Sequence, residues 1–322
     1  MILIALLIAI GINLLLNKRR VAAICSNTAA IATASVTVCS IMLAGVTPAI
    51  YILTLAIILL IVLKSHVDPS LSEERKLQSK LRELETKNKA EKGQLGFEEK
   101  EGLVKVNYFN MFWLFFISCI IGYIFEIIWH MTVDDPGVYQ ERAGLLFGPF
   151  SPIYGFGAVL ITLLLRKLQN KNFILVFVIS ALIGGFFEYF ASLFLEASFG
   201  VRSWDYSHLP FNISGRTSLR FFIVWGLIGV VWVKLLLTKM IKLINKIPWK
   251  LRYSITLIAS IFMIINVVMT FQALDCWFAR SANHEPQTPI EQFYAQNFDD
   301  DFMHARFENM KMETNTAVRE TN

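Results

Sequence analysis

Long apolar runs constrain this chain more than any other feature of its sequence. Several runs approach the roughly 20 residues that a helix needs to cross about 30 Å of hydrocarbon. Only 17% of the residues are charged and 55% are apolar, whereas soluble domains carry about 25% charged residues. The sequence therefore predicts an all-α fold, a polytopic transmembrane helix bundle.

Eight of these runs are predicted to span the membrane. The first is short, about 23 Å at 1.5 Å per residue, and its charges, Lys18, Arg19 and Arg20, follow the apolar run. A secretory signal peptide has its basic residues in front, so we expect an uncleaved span with an outside N-terminus. The eight predicted spans are 2–16, 21–43, 46–63, 109–131, 150–165, 173–196, 219–237 and 253–275.

The distribution of Lys and Arg predicts the orientation, because these residues accumulate on the cytoplasmic side. With the N-terminus outside, the cytoplasmic loops hold 22 basic residues and the outer loops hold 8. This asymmetry supports eight spans in the plasma membrane with both termini outside. The loops placed in the cytoplasm are 17–20, 64–108, 166–172 and 234–252.

The start of the fifth span is unusual, because Pro149, Pro152, Gly155 and Gly157 lie close together there. Glycine permits close backbone approach, and proline leaves carbonyl groups without intrahelical donors. Irregular backbone at membrane depth is tolerated where it lines a cavity. The pattern indicates either a broken or re-entrant start of the fifth span, which could line a solute path, or a kinked helix.

Changes in composition divide the chain into four regions. Residues 1–64 form a three-helix N-terminal membrane region, and 65–108 a charged cytoplasmic linker. Residues 109–279 form a five-helix membrane domain. Residues 280–322 carry eight acidic and four basic residues without an apolar period, so we expect an acidic, loosely ordered tail.

Two local patterns refine these regions. In the second span, small residues recur every four positions and predict close helix packing: Ala22, Ser26, Ala30 and Ala34. In the linker, Ser70 and Glu73 form a capping-box pattern ahead of leucines at helical spacing. Those leucines, at 77, 81 and 84, indicate either a surface helix with a short coiled contact or a solvated linker.

Two carboxylates lie inside predicted spans, Glu126 in the fourth and Glu188 in the sixth. A charge at the centre of a membrane helix costs about 2.5–3.5 kcal/mol on insertion scales, so each carboxylate needs a partner or a polar cavity. The outer loops offer such partners, and we expect an ion-pair network at the outer mouth of the bundle. Its candidates are Arg142, Glu196, Arg202, Asp205, Arg216 and Arg220.

Metal and cofactor chemistry have little support in the sequence. Glu126 and His130 are four residues apart, so they share a helical face and form a weak candidate pair for a metal. No third histidine or recognised zinc motif accompanies them, and the four cysteines show no paired spacing. We therefore predict no cofactor in this chain. The charges lie between apolar blocks rather than on one basic face, which argues against a nucleic-acid partner.

The predicted outer loop 201–219 mixes aromatic residues that suit the membrane interface with polar ones. Trp204, Tyr206 and Phe211 are of the first kind, and Asp205 and Asn212 of the second. This density of polar groups favours a structured cap over the bundle.

The motifs in this part of the chain have a family resemblance. Gly122-Tyr123-x-x-Glu126, Gly148-Pro149, Pro152-Ile153-Tyr154-Gly155, Glu188-Tyr189 with Glu196, Arg202-x-Trp204-Asp205-Tyr206-Ser207, Phe211-Asn212, Gly215-Arg216 and Trp225-Gly226 follow in order. Over about residues 110–235 the chain resembles the bacterial family called putative ABC-transporter permease, type IV. It departs at Ala143, Ser151 and Ser203, where Gly, Cys and Trp are expected.

The resemblance implies a multi-pass transport protein that works with a separate ATPase. The chain itself carries no GxxxxGK[ST] phosphate loop. The segments 166–172 and 234–252 are short and basic enough to serve as the cytoplasmic docking element for such a subunit. The residues expected on the substrate path or in ion pairs are Glu126, Arg142, Tyr154, Glu188, Tyr189, Glu196, Arg202, Trp204, Asp205, Tyr206, Asn212 and Arg216.

Three functions stay open at this point. The first is a transport component with a polar solute or ion site near the outer face. The second is a membrane-embedded enzyme acting on lipid or cell-envelope material, with Glu188 as a proton-transfer group. No nucleophile motif or catalytic constellation supports it. The third is a structural or regulatory membrane protein whose polar cluster braces the fold. The lipid bilayer is a partner in all three, and the solute is unknown.

Overall fold

The computed structural model describes residues 2–16, 18–67, 84, 87, 96–97 and 103–314. The chain separates into two compact units, Met1–Lys87 with Val318–Asn322, and Asn88–Ala317. The capping-box pattern at Ser70 and Glu73 and the leucines at 77 and 81 lie outside the described residues.

The described residues of the first unit include the helices α1 (Ile2–Leu15), α2 (Arg19–Ala44) and α3 (Pro48–Val67). The small residues of α2 pack as predicted, since Ala22, Ser26 and Ala30 are at most 8% exposed. The Ser26 hydroxyl donates to the Leu60 carbonyl of α3 at 2.7 Å. Ala34, further along the same helix, is exposed.

The second unit is a helical bundle with short strands in its loops. Its helices are α4 (Tyr108–Trp129), α5 (Pro152–Leu165), α6 (Phe173–Phe199), α7 (Leu219–Val231), α8 (Leu237–Ile244), α9 (Arg252–Ser281), α10 (Pro289–Asn297) and α11 (Asp300–Arg306). A π-helical turn, His130–Asp134, continues α4, and another, Trp232–Leu236, joins α7 to α8. A 3₁₀ turn, Arg166–Leu168, ends α5. Strand β1 (Val201–Arg202) pairs antiparallel with β4 (Lys311–Met312), and β2 (Asn212–Ile213) with β3 (Thr217–Ser218).

Five helical segments of the described residues are long and apolar enough to cross a membrane, which confirms a polytopic helical fold. They are Val21–Ala44, Tyr108–Asp134, Phe173–Phe199, Leu219–Ile244 and Arg252–Ser281. The apolar helices Ala5–Leu15 and Pro48–Leu63 are shorter, and α5 has 14 residues, about 21 Å at 1.5 Å per residue. The count of eight spans stays a prediction.

Glycines allow α6 and α7 to pack closely. A Cβ atom at Gly184 would overlap Trp225, and one at Gly185 would lie 2.5 Å from the ring of Phe222. A glycine of α7 makes the same kind of close contact in the other direction, since Gly229 faces Ser180 of α6. Small residues of this kind permit close contact between membrane helices, and here they seat large aromatic side chains of the neighbouring helix.

The segment before α5 is an ordered loop. Its turn uses a positive φ of 74° at Gly148, and the Gly144 N–H donates to the Phe150 carbonyl at 2.8 Å. The Ser151 N–H donates to the Cys119 carbonyl of α4 at 2.9 Å. The helix begins at Pro152, where proline lacks only a donor that has no intrahelical partner. A re-entrant path through a bilayer stays a prediction.

The segment after α9 differs from the predicted loosely ordered tail, because it contains α10 and α11. Met303 and Phe307 are fully buried, and Tyr294 and Phe298 are at most 8% exposed. Thr288 and Glu291 form a capping box at the start of α10. Each of these short helices buries one apolar residue, Tyr294 or Met303, and its C-cap residue, Phe298 or Phe307, is buried as well. Such helices leave no long apolar period in the sequence.

Candidate functional site

A cavity of about 520 Å³ lies in the second unit among α4, α5, α6, α7 and the loop that follows β1. Its wall combines ionisable and aromatic side chains. The ionisable residues are Glu126, Asp134, Arg142, Glu188, Asp205, His208 and Arg220. The aromatic residues, apart from tyrosines 154 and 206, are Phe125, Trp129, Trp204, Phe221 and Trp225.

Glu188 lies in the wall from the middle of α6 and is only 4% exposed. Both of its oxygens accept hydrogen bonds from neutral hydroxyl groups. The Tyr206 Oη donates to Oε1 at 3.1 Å, and the Thr217 Oγ1 donates to Oε2 at 3.0 Å. No cation among the described residues forms an ion pair with Glu188, so the predicted ion pairs form around Glu196 and do not include Glu188.

Glu126 lies on α4, where it is half-buried. The Tyr154 Oη donates to its Oε1 at 2.7 Å. Tyr154 fits there because Gly122 has no Cβ, which would otherwise overlap the tyrosine ring. The second carboxylate oxygen of Glu126 accepts no hydrogen bond from the described residues, so it is available to a solute in the cavity.

Arg142 reaches the cavity from the loop before α5, with its side chain 14% exposed. Its Nη2 lies 2.5 Å from the Nδ1 of His130 and 3.9 Å from the Oδ2 of Asp134. The guanidinium group therefore meets the π-helical turn rather than Glu126 or Glu188. Among the described residues, no group of three His, Cys, Asp or Glu side chains is placed to hold a metal, so Glu126 and His130 gain no third ligand.

A second polar group, which we call the Glu196 cluster, consists of Glu196, Arg202 and Arg216. The Glu196 side chain is 6% exposed and meets the Nη2 of Arg216 at 2.7 Å and that of Arg202 at 3.3 Å. The Nη1 of Arg202 also lies 3.6 Å from the Oδ2 of Asp205, which connects the cluster to the cavity wall. The Arg216 guanidinium lies 6.0 Å from the ring centre of Tyr189. This cluster ties α6 to the loop.

The loop between β1 and α7 is ordered by its own polar groups. Asn212 donates to the Leu209 carbonyl at 2.8 Å and accepts from the Gly215 N–H at 3.0 Å. The Trp204 Nε1 donates to the Arg216 carbonyl at 2.8 Å. The loop is therefore a structured cap, as its polar density predicts, and it holds Trp204, Asp205 and Tyr206 in the cavity wall.

Two groups of this cap have shifted pKa values. Hydrogen bonds from the Ser207 hydroxyl and N–H, together with the charge of Arg202, lower the pKa of Asp205. Burial and the neighbouring Glu188 raise the pKa of Tyr206 well above 10. Asp205 is thus ionised at neutral pH, and Tyr206 keeps the proton that it donates to Glu188.

The twelve site residues predicted from the sequence divide into two groups. Glu126, Arg142, Tyr154, Glu188, Trp204, Asp205 and Tyr206 line the cavity. Tyr189, Glu196, Arg202, Asn212 and Arg216 lie in the Glu196 cluster or the cap.

Sequence reasoning missed Asp134 and Thr217. Asp134 could have been found from its i+4 spacing to His130, since both lie on the helical extension of α4. Thr217 has no distinctive sequence context, because a threonine beside a loop arginine is common.

Comparison with known families agrees with the sequence motifs. Residues 113–271 match the model of a protein family described as "Putative ABC-transporter type IV", which confirms the resemblance. The matched range contains every residue of the cavity wall. No curated protein and no solved structure gives a significant match.

Proposed function

We propose that this chain, a membrane protein of a transporter family, is the permease component of an ABC-type transporter. In this proposal the cavity is the polar solute or ion site and lies near the outer face of the membrane. A separate subunit supplies ATP hydrolysis, because the chain carries no phosphate-binding loop.

The observation that carries the proposal is the position of Glu126 and Glu188. Both come from apolar helices and both line one cavity. Ionisable groups inside membrane helices are costly and mark substrate or ion pathways. A bracing role would pair each carboxylate with a cation, as Glu196 is paired. Glu188 instead accepts two neutral hydrogen bonds, and Glu126 has an oxygen left over for a solute.

The other end of the bundle supports docking of a partner subunit. The basic segments 166–172 and 234–252 lie at the ends of α5 and α7 that are remote from the cavity. They are joined there, since the Lys234 Nζ donates to the Gln169 carbonyl at 2.8 Å and the Gln169 Nε2 to Thr238 Oγ1 at 2.8 Å.

Helix α8 leaves one basic face of this end exposed. Met240, Ile241 and Ile244 are buried, while Lys239 and Lys242 are exposed. An amphipathic helix of this kind packs one face on its own fold and presents the other. We propose this end as the cytoplasmic docking surface for the ATPase.

Purification from the native host in mild detergent tests the proposal. We expect an ATPase subunit to co-elute at near-equal amount, and Glu188→Gln to change its hydrolysis rate without changing its yield. Glu285→Gln is the matched control, because Glu285 is exposed in the segment after α9. A preparation without ATPase, or hydrolysis that is indifferent to Glu188→Gln, contradicts the proposal.

A further inference from the structure

The charges of the cavity wall do not balance. Asp134 has Arg142 at 3.9 Å, and Asp205 has Arg202 at 3.6 Å. Glu126 and Glu188 form no ion pair with any described residue. Arg220, which also lines the cavity, forms no ion pair with the described residues either. Counted together, the four carboxylates exceed the guanidinium groups of Arg142, Arg202 and Arg220 by one, in a setting where an unpaired charge is costly. A positively charged solute would supply the missing partner.

The aromatic side chains of the wall suit a cation as well. A cation over the face of a Trp, Tyr or Phe ring is attracted by the ring quadrupole within about 6 Å of the centroid. The cavity wall already contains this kind of contact, since the Arg220 guanidinium lies 5.7 Å from the ring centre of Trp129 and 5.9 Å from that of Phe221. Arg220 is exposed and forms no ion pair with the described residues, so these two rings are its charge-stabilising neighbours in the cavity wall.

The size of the cavity separates an organic cation from a bare metal ion. About 520 Å³ falls within the roughly 300–1,000 Å³ of sites for small organic ligands. The described residues offer no group of three metal ligands. An anion would be repelled by the carboxylates of Glu126 and Glu188, and Arg220 is the cation of this wall that could attract it.

We propose that the cavity binds an organic cation, an amine or a quaternary ammonium compound. Glu126 and Glu188 supply the compensating charge, and Trp129 and Trp225 supply the aromatic wall. This inference rests on the proposed function for the use of the cavity as a solute site, but it concerns binding, which does not depend on an ATPase. Arg220 is then a like charge that weakens solute binding.

Isothermal titration calorimetry on the full chain in detergent tests the inference. The probe is tetramethylammonium chloride, its neutral analogue of similar shape is tert-butanol, and sodium acetate is the anionic probe. Sodium chloride keeps the ionic strength constant. We expect saturable binding of tetramethylammonium alone.

Two variants should change the affinity for tetramethylammonium in opposite directions. Glu126→Gln should weaken tetramethylammonium binding about tenfold, or about 1.4 kcal/mol, because it removes a compensating charge. Arg220→Gln should tighten binding, because it removes a competing cation from the ring of Trp129. Glu285→Gln should leave binding unchanged. Glu188→Gln should weaken binding as Glu126→Gln does. If Glu188→Gln does not fold, Glu126→Gln and Arg220→Gln still decide the result, because the side chains of Glu126 and Arg220 are at least partly exposed.

Three results would overturn the inference. They are the absence of tetramethylammonium binding, equal affinity of wild type and Glu126→Gln, and acetate binding that Arg220→Gln abolishes. The last identifies an anion site. If an ATPase co-elutes but tetramethylammonium does not bind, the permease proposal stands and only the proposal of an organic cation as the solute is contradicted. Binding without an ATPase keeps the cation site and removes the permease proposal.

Discussion

Glu196 is a buried carboxylate with two arginine partners. Its side chain is 6% exposed and lies 2.7 Å from Arg216. We expect Glu196→Gln to lower the free energy of unfolding by about 3 kcal/mol, because breaking a buried ion pair leaves a charge uncompensated. Thermal unfolding in detergent measures the loss, with Glu285→Gln as the exposed control. Equal unfolding midpoints for the two variants would show that Glu196 is not a brace.

Asp205 gives the cap a dependence on pH. Its hydrogen bonds with Ser207 and the charge of Arg202 lower its pKa in the folded state. The resulting stability is fully present above the unfolded-state pKa of about 3.9 and is lost as the pH falls through the lower folded-state value. We expect Asp205→Asn to be less stable than wild type at pH 6, with a difference that narrows below about pH 4. Unfolding midpoints across this range test the prediction, and a constant difference contradicts it.

At the scale of the helices, the contact between α6 and α7 depends on glycine. A Cβ at Gly184 would overlap the Cβ and Cγ atoms of Trp225, which cannot move without the α7 backbone. We expect Gly184→Ala to destabilise the second unit by about 1–3 kcal/mol through overpacking. Because Trp225 lines the cavity, tetramethylammonium binding should weaken in the same variant.

Gly11 of α1 provides the matched control for this substitution. Nothing lies within 4 Å of a Cβ built there, so Gly11→Ala should be neutral or stabilise its helix by about 0.5–1 kcal/mol. Chemical denaturation of both variants separates overpacking from a general effect of alanine. Equal losses in the two helices would contradict the role of Gly184.

At the scale of the whole molecule, the orientation in the membrane can be tested from the two ends of the second unit. His208 in the cap and Lys250 after α8 are both exposed. We expect an impermeant maleimide to label His208→Cys on intact cells, and Lys250→Cys only after permeabilisation. The background variant carries alanine at Cys25 and Cys39, because Cys119 and Cys276 are buried. Labelling of both positions on intact cells would overturn the predicted topology.

The sequence predicts the helical architecture of this molecule better than it predicts which side chains form hydrogen bonds or ion pairs with each other. Apolar runs identify the long helices, because each run has to face lipid along its length. The partners of Glu126 and Glu188 could not be read in the same way. Arginine is the expected partner of a membrane carboxylate, yet Glu126 and Glu188 accept hydrogen bonds from the hydroxyl groups of Tyr154 and Tyr206. The helix packing determines which donor lies within hydrogen-bond distance of each carboxylate. That packing depends on contacts between residues far apart in the chain.

The contact of Arg306 with the loop before α5 has a consequence for biosynthesis. Arg306 donates to the carbonyl of Leu145, a residue made 161 positions earlier, and to that of Gly148. At about 5–20 residues per second, translation separates these partners by roughly 8–32 s. Throughout that interval the loop that carries Arg142 lacks the hydrogen bonds from Arg306. A premature stop codon after α9 would therefore alter the wall of the cavity while leaving every residue of that wall in place.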